Sequence, residues 1–419
     1  MEKENLKSTN KNAIKIAVII LCLTFLSGVV YYISKGHVAS KSVSVPIAVG
    51  EETLIKNNYV PLNRVMEMCG YSLKSQAVLD YSYAKKDSGV DISVDFYFDE
   101  NKCVKNEYQF DLTEKIFWMD KACYIQKDKL KAIINMDIAY KNGNLVVTPV
   151  EYDVHEWTTA FAPLVAHAGG IYREANRDTD YTNSLDTTIQ NYDLGHRVFE
   201  FDFRLTADGD LAVVHDWEDE NGENVSKTTA QWEVQNEVKG VACRTMLVDD
   251  VIDQMVINKD MFIITDTKTD KVGKNMKKQF QSIKKAAMER DPELLKRIIP
   301  QIYTMEMYDV VKKVYPFQSI VFTFYKTKET DDNLFDFVVA HDDIKVVATW
   351  AGEPGRFDLV KRLNEHGKLG YAHSLIDHEY SLNAYEDIVI MKEKGIYGFY
   401  TDYLLPRDWQ TYEEVSKKP

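Results

Sequence analysis

The sequence predicts an α/β protein, a (β/α)8 barrel preceded by a single transmembrane helix and a small α+β domain. Eight short apolar runs alternate with longer amphipathic segments after about residue 160, which predicts parallel βαβ units. Their number and their total length suit a closed barrel, and polar residues gather at the carboxyl end of nearly every run. The predicted boundaries are a cytoplasmic tail 1–15, a transmembrane anchor 16–34, a linker 35–50, the α+β domain 51–152 and the catalytic barrel 160–410.

Composition and charge exclude several classes of protein. The 419 residues are 45% hydrophobic and 28% charged, which is typical of a globular chain and not of a disordered or polytopic membrane protein. The net charge is −14, and residues 1–35 alone carry +3, so the remainder carries −17. Wrapping nucleic acid needs a basic surface, so no nucleic-acid partner is expected.

The first element is an apolar segment close to the N-terminus. Residues 16–33 contain no charge, and about 20 mainly apolar residues are needed to cross a bilayer. The preceding lysines favour a cytoplasmic N-terminus, and Tyr31 and Tyr32 suit the outer interface. A cleaved signal peptide is the alternative, but its apolar region is usually shorter. The sequence predicts a single-pass cell-membrane protein whose C-terminal domains are extracellular.

The α+β domain shows alternating strands and short helices. Val90–Phe98 alternates apolar and polar residues, as a half-buried strand does, and Asn142-Gly143 predicts a hairpin turn. Helical stretches begin near Val60 and Ile125.

Two short motifs in this domain repeat, Tyr59-Val-Pro-Leu62 and Tyr124-Ile-Gln-Lys127. They resemble the N-terminal domain of copper amine oxidases, which implies a spacer or a contact with the cell wall through 51–152. Among Cys69, Cys103 and Cys123, one disulfide and buried free thiols are both compatible with the spacing.

The barrel strands are predicted from the apolar runs. They cover 164–169, 197–203, 261–268, 297–303, 319–325, 345–350, 369–374 and 395–402. Helices are predicted between them at 184–194, 272–288, 305–314, 357–365 and 384–394. Because chemistry in such barrels lies at the carboxyl ends of the strands, the polar residues there predict a catalytic centre.

A carboxylate cluster predicts a metal site at that end. Glu200 and Asp202 are two residues apart on one strand, so both side chains point to the same face. Two adjacent anions are costly unless a cation lies between them, and Mg²⁺ and Ca²⁺ prefer oxygen ligands. Asp266, ending the next strand, is placed to supply a third ligand. The alternative is a carboxylate pair bound to Arg197 or Arg204.

Two histidines flank the strand that carries the carboxylates. His167 ends the first strand and His215 follows a short strand after it, which suits general acid and base groups on opposite sides of a scissile bond. Lys268 adds a positive charge able to stabilise transferring phosphoryl oxygens. Together these residues predict metal-assisted phosphodiester cleavage.

The order of these motifs resembles that of the glycerophosphodiester phosphodiesterase family, one of the phosphatidylinositol phospholipase C-like barrels. The matching segments within 163–404 are His167-Ala-Gly169, Thr182-Asn-Ser184, Glu200-Phe-Asp202, Thr206-Ala-Asp-Gly209, Val214-His-Asp216, Arg244-Thr-Met-Leu247, Asp266-Thr-Lys268 and Gly395–Asp402.

The resemblance implies a role for each site residue. His167 and His215 become the acid and base, the carboxylates 200, 202 and 266 hold one divalent cation, Ca²⁺ or Mg²⁺, and Lys268 contacts phosphate. It also implies attack by a glycerol hydroxyl through a cyclic phosphate. The substrate is expected to be a glycerophosphodiester or a glycerol-phosphate polymer of the cell envelope.

Three departures from the family pattern suggest a divergent substrate. Ala168 replaces the arginine of H-R-G, so Arg173 or Arg204 is expected to substitute for it. Thr182 stands where P-E-N-T has a glutamate, and Asp266 is one methylene shorter than the glutamate of E-x-K.

Two further residues and two other functions complete the expectations. Trp217 is a candidate for stacking on substrate or for packing, and His373 is a candidate substrate contact. The alternatives to hydrolysis of a glycerophosphodiester are phospholipase C or D cleavage of intact lipid, and a non-catalytic barrel that binds envelope polymers.

Overall fold

The computed structural model describes residues 42–46, 51–113, 116–119, 121–151, 156–174, 177–217, 225–268, 273–350, 356–373, 383–409 and 411. These residues fall into two compact units. One lies within Met1–Cys103 and Asp111–Val150, and the other within Val104–Phe110 and Glu151–Pro419.

The elements up to Pro149 are mainly short antiparallel strands. They are β1 (Val43–Pro46), α1 (Glu51–Lys56), β2 (Tyr59–Pro61), α2 (Leu62–Met68), β3 (Ser72–Gln76), β4 (Asp80–Asp87), β5 (Val90–Tyr97), β6 (Lys102–Lys105), β7 (Tyr108–Asp111), β8 (Ile116–Met119), β9 (Ala122–Gln126), α3 (Lys127–Ile134), β10 (Met136–Lys141) and β11 (Asn144–Pro149). Three sheets result, in the orders β1-β11-β10, β2-β9-β8 and β3-β4-β5-β6-β7.

Local signals in this part of the chain are accurate. The Asn142-Gly143 turn joins β10 to β11 with both residues at positive φ, as a two-residue hairpin requires. The two repeated motifs lie on paired strands, with Val60 opposite Ile125. The segment predicted as a linker contains β1, whose residues pair with β11. The cysteines at 69, 103, 123 and 243 are buried.

The elements after Glu151 alternate strand and helix. They are a 3-10 turn (Glu156–Thr158), β12 (Leu164–Ala166), a 3-10 turn (His167–Gly169), β13 (Tyr172–Arg173), β14 (Asp178–Thr179), α4 (Leu185–Asp193), β15 (Val198–Leu205), β16 (Leu211–Val213), α5 (Thr229–Glu233), β17 (Glu237–Val238), β18 (Val241–Ala242), α6 (Val248–Ile257), β19 (Phe262–Thr267), α7 (Lys274–Arg290), a 3-10 turn (Pro292–Arg297), β20 (Ile298–Ile302), α8 (Met305–Val314), β21 (Ile320–Thr323), α9 (Asp331–Ala340), β22 (Ile344–Trp350), α10 (Phe357–Asn364), β23 (Leu369–His373), α11 (Asn383–Glu393), β24 (Ile396–Thr401) and a 3-10 turn (Pro406–Asp408).

Eight parallel strands close into a barrel, as the sequence predicts. The order is β12-β15-β19-β20-β21-β22-β23-β24, and β24 pairs back to β12 through Leu164 opposite Phe399. Strand β16 adds to β15 on the outside of this closed set and is antiparallel to it. Each predicted apolar run holds one barrel strand. Closure brings all eight carboxyl ends to one face.

The barrel interior holds an apolar group that we call the interior cluster. Its buried members are Trp157, Val165, Val198, Phe262, Ile264, Ile299, Val321, Val346, Ala348, Tyr371 and Tyr400. Trp157 donates its indole N–H to the Ser319 hydroxyl at 3.0 Å. Since Ser319 directly precedes β21, Trp157 lies at the amino ends of the strands.

The predicted localisation is corrected by the structure. Across the described ranges, no helix combines the length and the apolar character needed to cross a bilayer. On this finding, the prediction of a single-pass membrane protein with extracellular C-terminal domains is wrong. The tail 1–15 and the anchor 16–34, on which it was based, lie outside the described residues.

Candidate active site

Three buried carboxylates meet at the carboxyl ends of β15 and β19. The register of these parallel strands sets Asp202 directly opposite Asp266, and Glu200 points the same way from two residues earlier. One oxygen from each of the three lies within 4.8 Å of the others, and each residue is at most 1% exposed. The structure thus brings together the three predicted metal ligands.

The donor set suits a hard divalent cation. All three groups offer carboxylate oxygens, the ligands that Ca²⁺ and Mg²⁺ prefer. Asp266 Oδ1 is buried and accepts no hydrogen bond from the described residues, so one lone-pair direction there is left for a ligand. Concentrated buried anions of this kind need a cation to offset them.

Lys268 is the protein's own cation at this cluster. Its ammonium lies 2.8 Å from Asp202 Oδ1 and 2.5 Å from Asp266 Oδ2. Burial lowers the pKa of Lys268, but the carboxylates of Asp266, Asp202 and Glu200 outweigh that and raise it. Lys268 is therefore a permanently charged group at the carboxylate cluster.

The arginines that offered an alternative explanation bind elsewhere. Arg197 pairs with Asp260 at 2.8 Å, and Arg204 pairs with Asp216 at 2.7 Å. Neither of these ion pairs involves Glu200 or Asp202. A carboxylate pair held by one of these arginines is thus not what the structure contains.

The carboxylates differ in their electrostatic surroundings. Burial, followed by the charge of Asp202, raises the pKa of Glu200 to about 8. Burial also favours the neutral form of Asp266, but attraction and a hydrogen bond from Lys268, with a second bond from Tyr303 at 2.6 Å, lower its pKa to about 2. The repulsion among the neighbouring carboxylates therefore raises mainly the pKa of Glu200.

His167 lies in the tight turn that follows β12. Ala168 in this turn has left-handed backbone angles (φ 49°, ψ 35°), and its N–H donates to Glu200 Oε2 at 2.8 Å. Gly170 has a φ of 89°, and a Cβ there would lie 2.7 Å from the Asn191 side chain. The turn therefore presents His167 beside the carboxylates and fixes Glu200 at the same time.

His167 is surrounded by acidic groups. Its Nδ1 lies 3.4 Å from Asp402 Oδ1, and its Nε2 lies 4.0 Å from Glu200 Oε2. Burial alone would lower the pKa of His167, but Asp402, followed by Glu200 and Asp202, raises it to about 9. A buried imidazole paired with a carboxylate can accept and hold a proton.

His215 is the more exposed of the two histidines. Its Nδ1 forms a short hydrogen bond with Asp216 Oδ2, and its side chain is 38% exposed. Arg204 donates from Nη2 to Asp216 Oδ1 at 2.7 Å and from Nε to the carbonyl of His215. Burial favours the neutral form of Asp216, but His215 and Arg204 lower its pKa. Arg204 therefore supports the histidine instead of standing free for phosphate.

Asn183 connects the loop before α4 to the carboxylate cluster. Its side chain donates to Asp202 Oδ2 at 2.8 Å and accepts from the Asp202 N–H at 3.0 Å. Its own N–H donates to the Ala168 carbonyl at 3.1 Å. Asn183 thus fixes both the Asp202 carboxylate and the turn that carries His167.

Two residues predicted to bind substrate have other roles. Trp217 is 4% exposed and packs edge-on against Trp232 at 5.3 Å, within an apolar group beside β16, so burial assigns it to packing. The Arg173 guanidinium donates to Asn191 Oδ1 and to the Tyr403 carbonyl, both at 3.2 Å. Those bonds hold Arg173 to the scaffold and correct the prediction that it replaces the missing arginine at 168.

His373 lies beside His167, with ring centroids 4.9 Å apart, and stacks on Tyr400 at 4.7 Å. Burial, followed by the charge of His167, lowers its pKa, so it remains a neutral neighbour. Lys326 is also at this end, 4.2 Å from the Tyr303 ring centroid.

Sequence reasoning missed several residues of the site. Asp402, Asp216, Asn183, Tyr181, Tyr303 and Lys326 received no role. Asp402 and Tyr303 end their apolar runs, and Asp216 directly follows His215, so position alone was a usable signal for these three.

Comparison with known proteins gives matches only among solved structures. No family model matches the sequence, and no curated protein matches it. The structure is similar to a glycerophosphodiester phosphodiesterase from Parabacteroides distasonis, with 17% identity and a TM-score of 0.48 over 61% of this chain and 98% of that one.

Two other neighbours have comparable scores. An Oleispira antarctica phosphodiesterase in complex with the product sn-glycerol-3-phosphate shows 13% identity and a TM-score of 0.47, over 62% of this chain and 99% of that one. A Thermotoga maritima glycerophosphodiester phosphodiesterase shows 14% identity and a TM-score of 0.43, over 61% and 98%. Two of these three neighbours bear the family name that the motifs resemble, whereas the likeness to copper amine oxidases finds no support.

Proposed function

We propose that this protein hydrolyses a glycerophosphodiester to glycerol 3-phosphate and an alcohol. One observation carries the proposal: two histidines, each paired with its own carboxylate, lie at the barrel end that also holds a buried carboxylate cluster and a lysine. Two such imidazoles provide a base and an acid, which are the two proton-transfer groups that a diester cleavage needs.

The position of each site residue indicates its role in this reaction. Glu200, Asp202 and Asp266 would hold a divalent cation, Ca²⁺ or Mg²⁺, which when bound supplies positive charge for the phosphate oxygens. Lys268 adds a second positive charge at the same place. Asp402 lies 3.4 Å from the Nδ1 of His167, and Asp216 hydrogen-bonds the Nδ1 of His215, so each imidazole has a carboxylate beside it.

The two histidines are sufficient to transfer every proton in the proposed reaction. One imidazole takes the proton of the glycerol hydroxyl next to the phosphate, and that oxygen forms a bond to phosphorus as the bond to the leaving alcohol breaks. The other imidazole donates a proton to the leaving alcohol. Water then opens the cyclic phosphate with the two roles reversed, and both histidines return to their starting states.

The acidic surface favours a small substrate. A chain of net charge −14 repels a polyanion over most of its surface. At the barrel mouth, Lys268 and Lys326 supply positive charge for one phosphate group. We therefore infer that a single diester is preferred to a long glycerol-phosphate polymer.

The test is release of glycerol 3-phosphate from glycerophosphocholine and glycerophosphoethanolamine, with Mg²⁺ or Ca²⁺ and with EDTA. We expect activity that EDTA abolishes and that His167→Ala abolishes in the presence of the cation. His366→Ala, an exposed histidine on the barrel surface, is the matched control and retains activity. Activity insensitive to EDTA, or none on any glycerophosphodiester, would overturn the proposal.

A further inference from the structure

The ring of Tyr181 lies between the two proposed catalytic histidines. Its centroid is 4.6 Å from that of His167 and 5.2 Å from that of His215. Both contacts are edge-on, with interplanar angles of 78° and 82°. Such T-shaped contacts are the favourable arrangement for neighbouring aromatic rings.

The backbone of Tyr181 is strained. Its φ is 53°, in the left-handed region that large side chains rarely adopt. A strained residue persists only where its surroundings hold it there, and such residues concentrate at functional sites. The contacts around Tyr181 therefore have to offset this strain.

The surroundings that hold Tyr181 come from the β17–β18 hairpin. Lys239 lies in its turn and pairs with Asp180 Oδ1 at 2.9 Å. The same ammonium lies 5.1 Å from the Tyr181 ring centroid, within the range of a cation–π contact. Arg177 donates to the Lys239 carbonyl at 2.9 Å, which fixes the turn against the loop.

The two histidines differ in how much support they have. The His167 side chain is 4% exposed and also contacts Asp402, His373 and Tyr400. The His215 side chain is 38% exposed, and Asp216, its hydrogen-bond partner, is its direct neighbour in the chain. Arg204 bonds the His215 carbonyl and Asp216, and Tyr181 adds a ring contact that connects the His215 imidazole to that of the buried His167.

We propose that Tyr181 is a positioning residue that holds the His215 imidazole at a fixed spacing from His167. The chain accepts a strained backbone at 181 because the ring must reach both imidazoles. This inference rests on the proposed function, in which the two histidines act on opposite sides of one scissile bond. Misplacement of a reacting group by about 1 Å can cost on the order of a hundredfold in rate.

The kinetic test compares Tyr181→Gly with Tyr181→Phe. Glycine removes the ring and relieves the positive φ, so we expect kcat to fall about 10- to 100-fold, with KM changed by less than about threefold and no drop in the thermal midpoint. Phenylalanine keeps the ring, so we expect the kcat of Tyr181→Phe to stay within about threefold of the wild-type value. Lys121→Gly relieves a similar backbone conformation, φ 65°, outside the barrel and leaves kcat unchanged.

A merely structural role predicts the opposite pattern. In that case Tyr181→Gly lowers the thermal midpoint and leaves kcat of the folded enzyme unchanged, which overturns the proposal. An independent readout is the NMR spectrum of isotope-labelled histidine. We expect contacts from the Tyr181 ring to both imidazoles, and conformational averaging of His215 in Tyr181→Gly. An unaltered His215 signal in Tyr181→Gly would overturn the proposal, and this readout does not depend on turnover of any substrate. Absence of turnover by the wild-type enzyme would contradict the proposed function, which is a separate outcome.

Discussion

Two fully buried histidines, one at each end of the barrel strands, have opposite electrostatics. His167 follows β12, and nearby Asp402, Glu200 and Asp202 override the effect of burial to raise its pKa to about 9. His196 precedes β15, and burial lowers its pKa to about 3 although its Nε2 bonds the Leu404 carbonyl at 3.1 Å. Burial alone favours the neutral imidazole, so the charge at His167 comes from its carboxylate neighbours.

The two ends of the barrel strands also differ in the kinds of residue that they bury. The carboxyl ends of the strands concentrate buried charges whose partners are each other, whereas the interior cluster toward the amino ends is apolar. Charged networks are weak contributors to stability, while apolar packing is the main one. We therefore expect substitutions at the first end to remove activity and substitutions at the second to remove stability.

The largest expected effect is on catalysis. Replacing His167 or His215 by alanine removes one proton-transfer group, so we expect kcat to fall about 10²- to 10⁴-fold in a protein that still folds. Release of glycerol 3-phosphate gives kcat, and denaturant unfolding shows whether the variant folds. Residual activity above a tenth of wild type would contradict the assignment of that histidine.

The next effect tests the apolar end. Trp157→Ala removes the 1% exposed indole that bonds Ser319, and we expect a loss of about 3–5 kcal/mol in the free energy of unfolding. The kcat of the folded enzyme should stay within about twofold. Trp118→Ala, where the ring is 42% exposed, is the control and should cost clearly less. A fall in kcat without a loss of stability would contradict the expectation that residues at the amino ends of the strands contribute to stability and not to catalysis.

A smaller effect follows from cation binding at the charged end. In protein treated with EDTA, adding Mg²⁺ or Ca²⁺ at a hundredfold excess over its Kd should raise the free energy of unfolding by about 2.7 kcal/mol. The double variant Glu200→Gln, Asp266→Asn should lose this increment. Asp260→Asn changes a carboxylate bound to Arg197 and should keep it. Equal stabilisation of the double variant would place the cation elsewhere.

The smallest effect, measured per pH unit, concerns pH, and its sign differs between the two histidines. His196 has a native pKa below the unfolded value of 6.5, so the native state loses stability as pH falls from 6.5 toward 3. His167 has a native pKa above 6.5, so its contribution is present below 6.5 and is lost as pH rises toward 9. Each proton contributes a slope of about 1.4 kcal/mol per pH unit.

Single substitutions isolate these two slopes. We expect His196→Gln to flatten the acid side of the stability profile and His167→Gln to flatten the alkaline side, both measured by denaturant unfolding in EDTA. If the same side of the stability profile becomes flat in both variants, the electrostatic contrast between the two histidines is contradicted.

The sequence by itself determined the barrel and the core of the site. Strands buried on both faces must be continuous apolar runs, and all eight runs are recognisable for that reason. Glu200 and Asp202 share a face because strand side chains alternate, and Asp266 joins them because neighbouring strands lie in parallel register. These relations are local or follow directly from strand order.

Only the tertiary structure decided how the charges are paired. Arg197 and Arg204 are close to the carboxylates in sequence, yet they bind Asp260 and Asp216, whereas Lys268 reaches Asp202. Barrel closure brings Asp402 to His167 across more than 200 residues, and the loop before α4 brings Tyr181 between the histidines. Such contacts depend on three-dimensional distance and on backbone angles such as φ 53° at Tyr181, which sequence spacing does not encode.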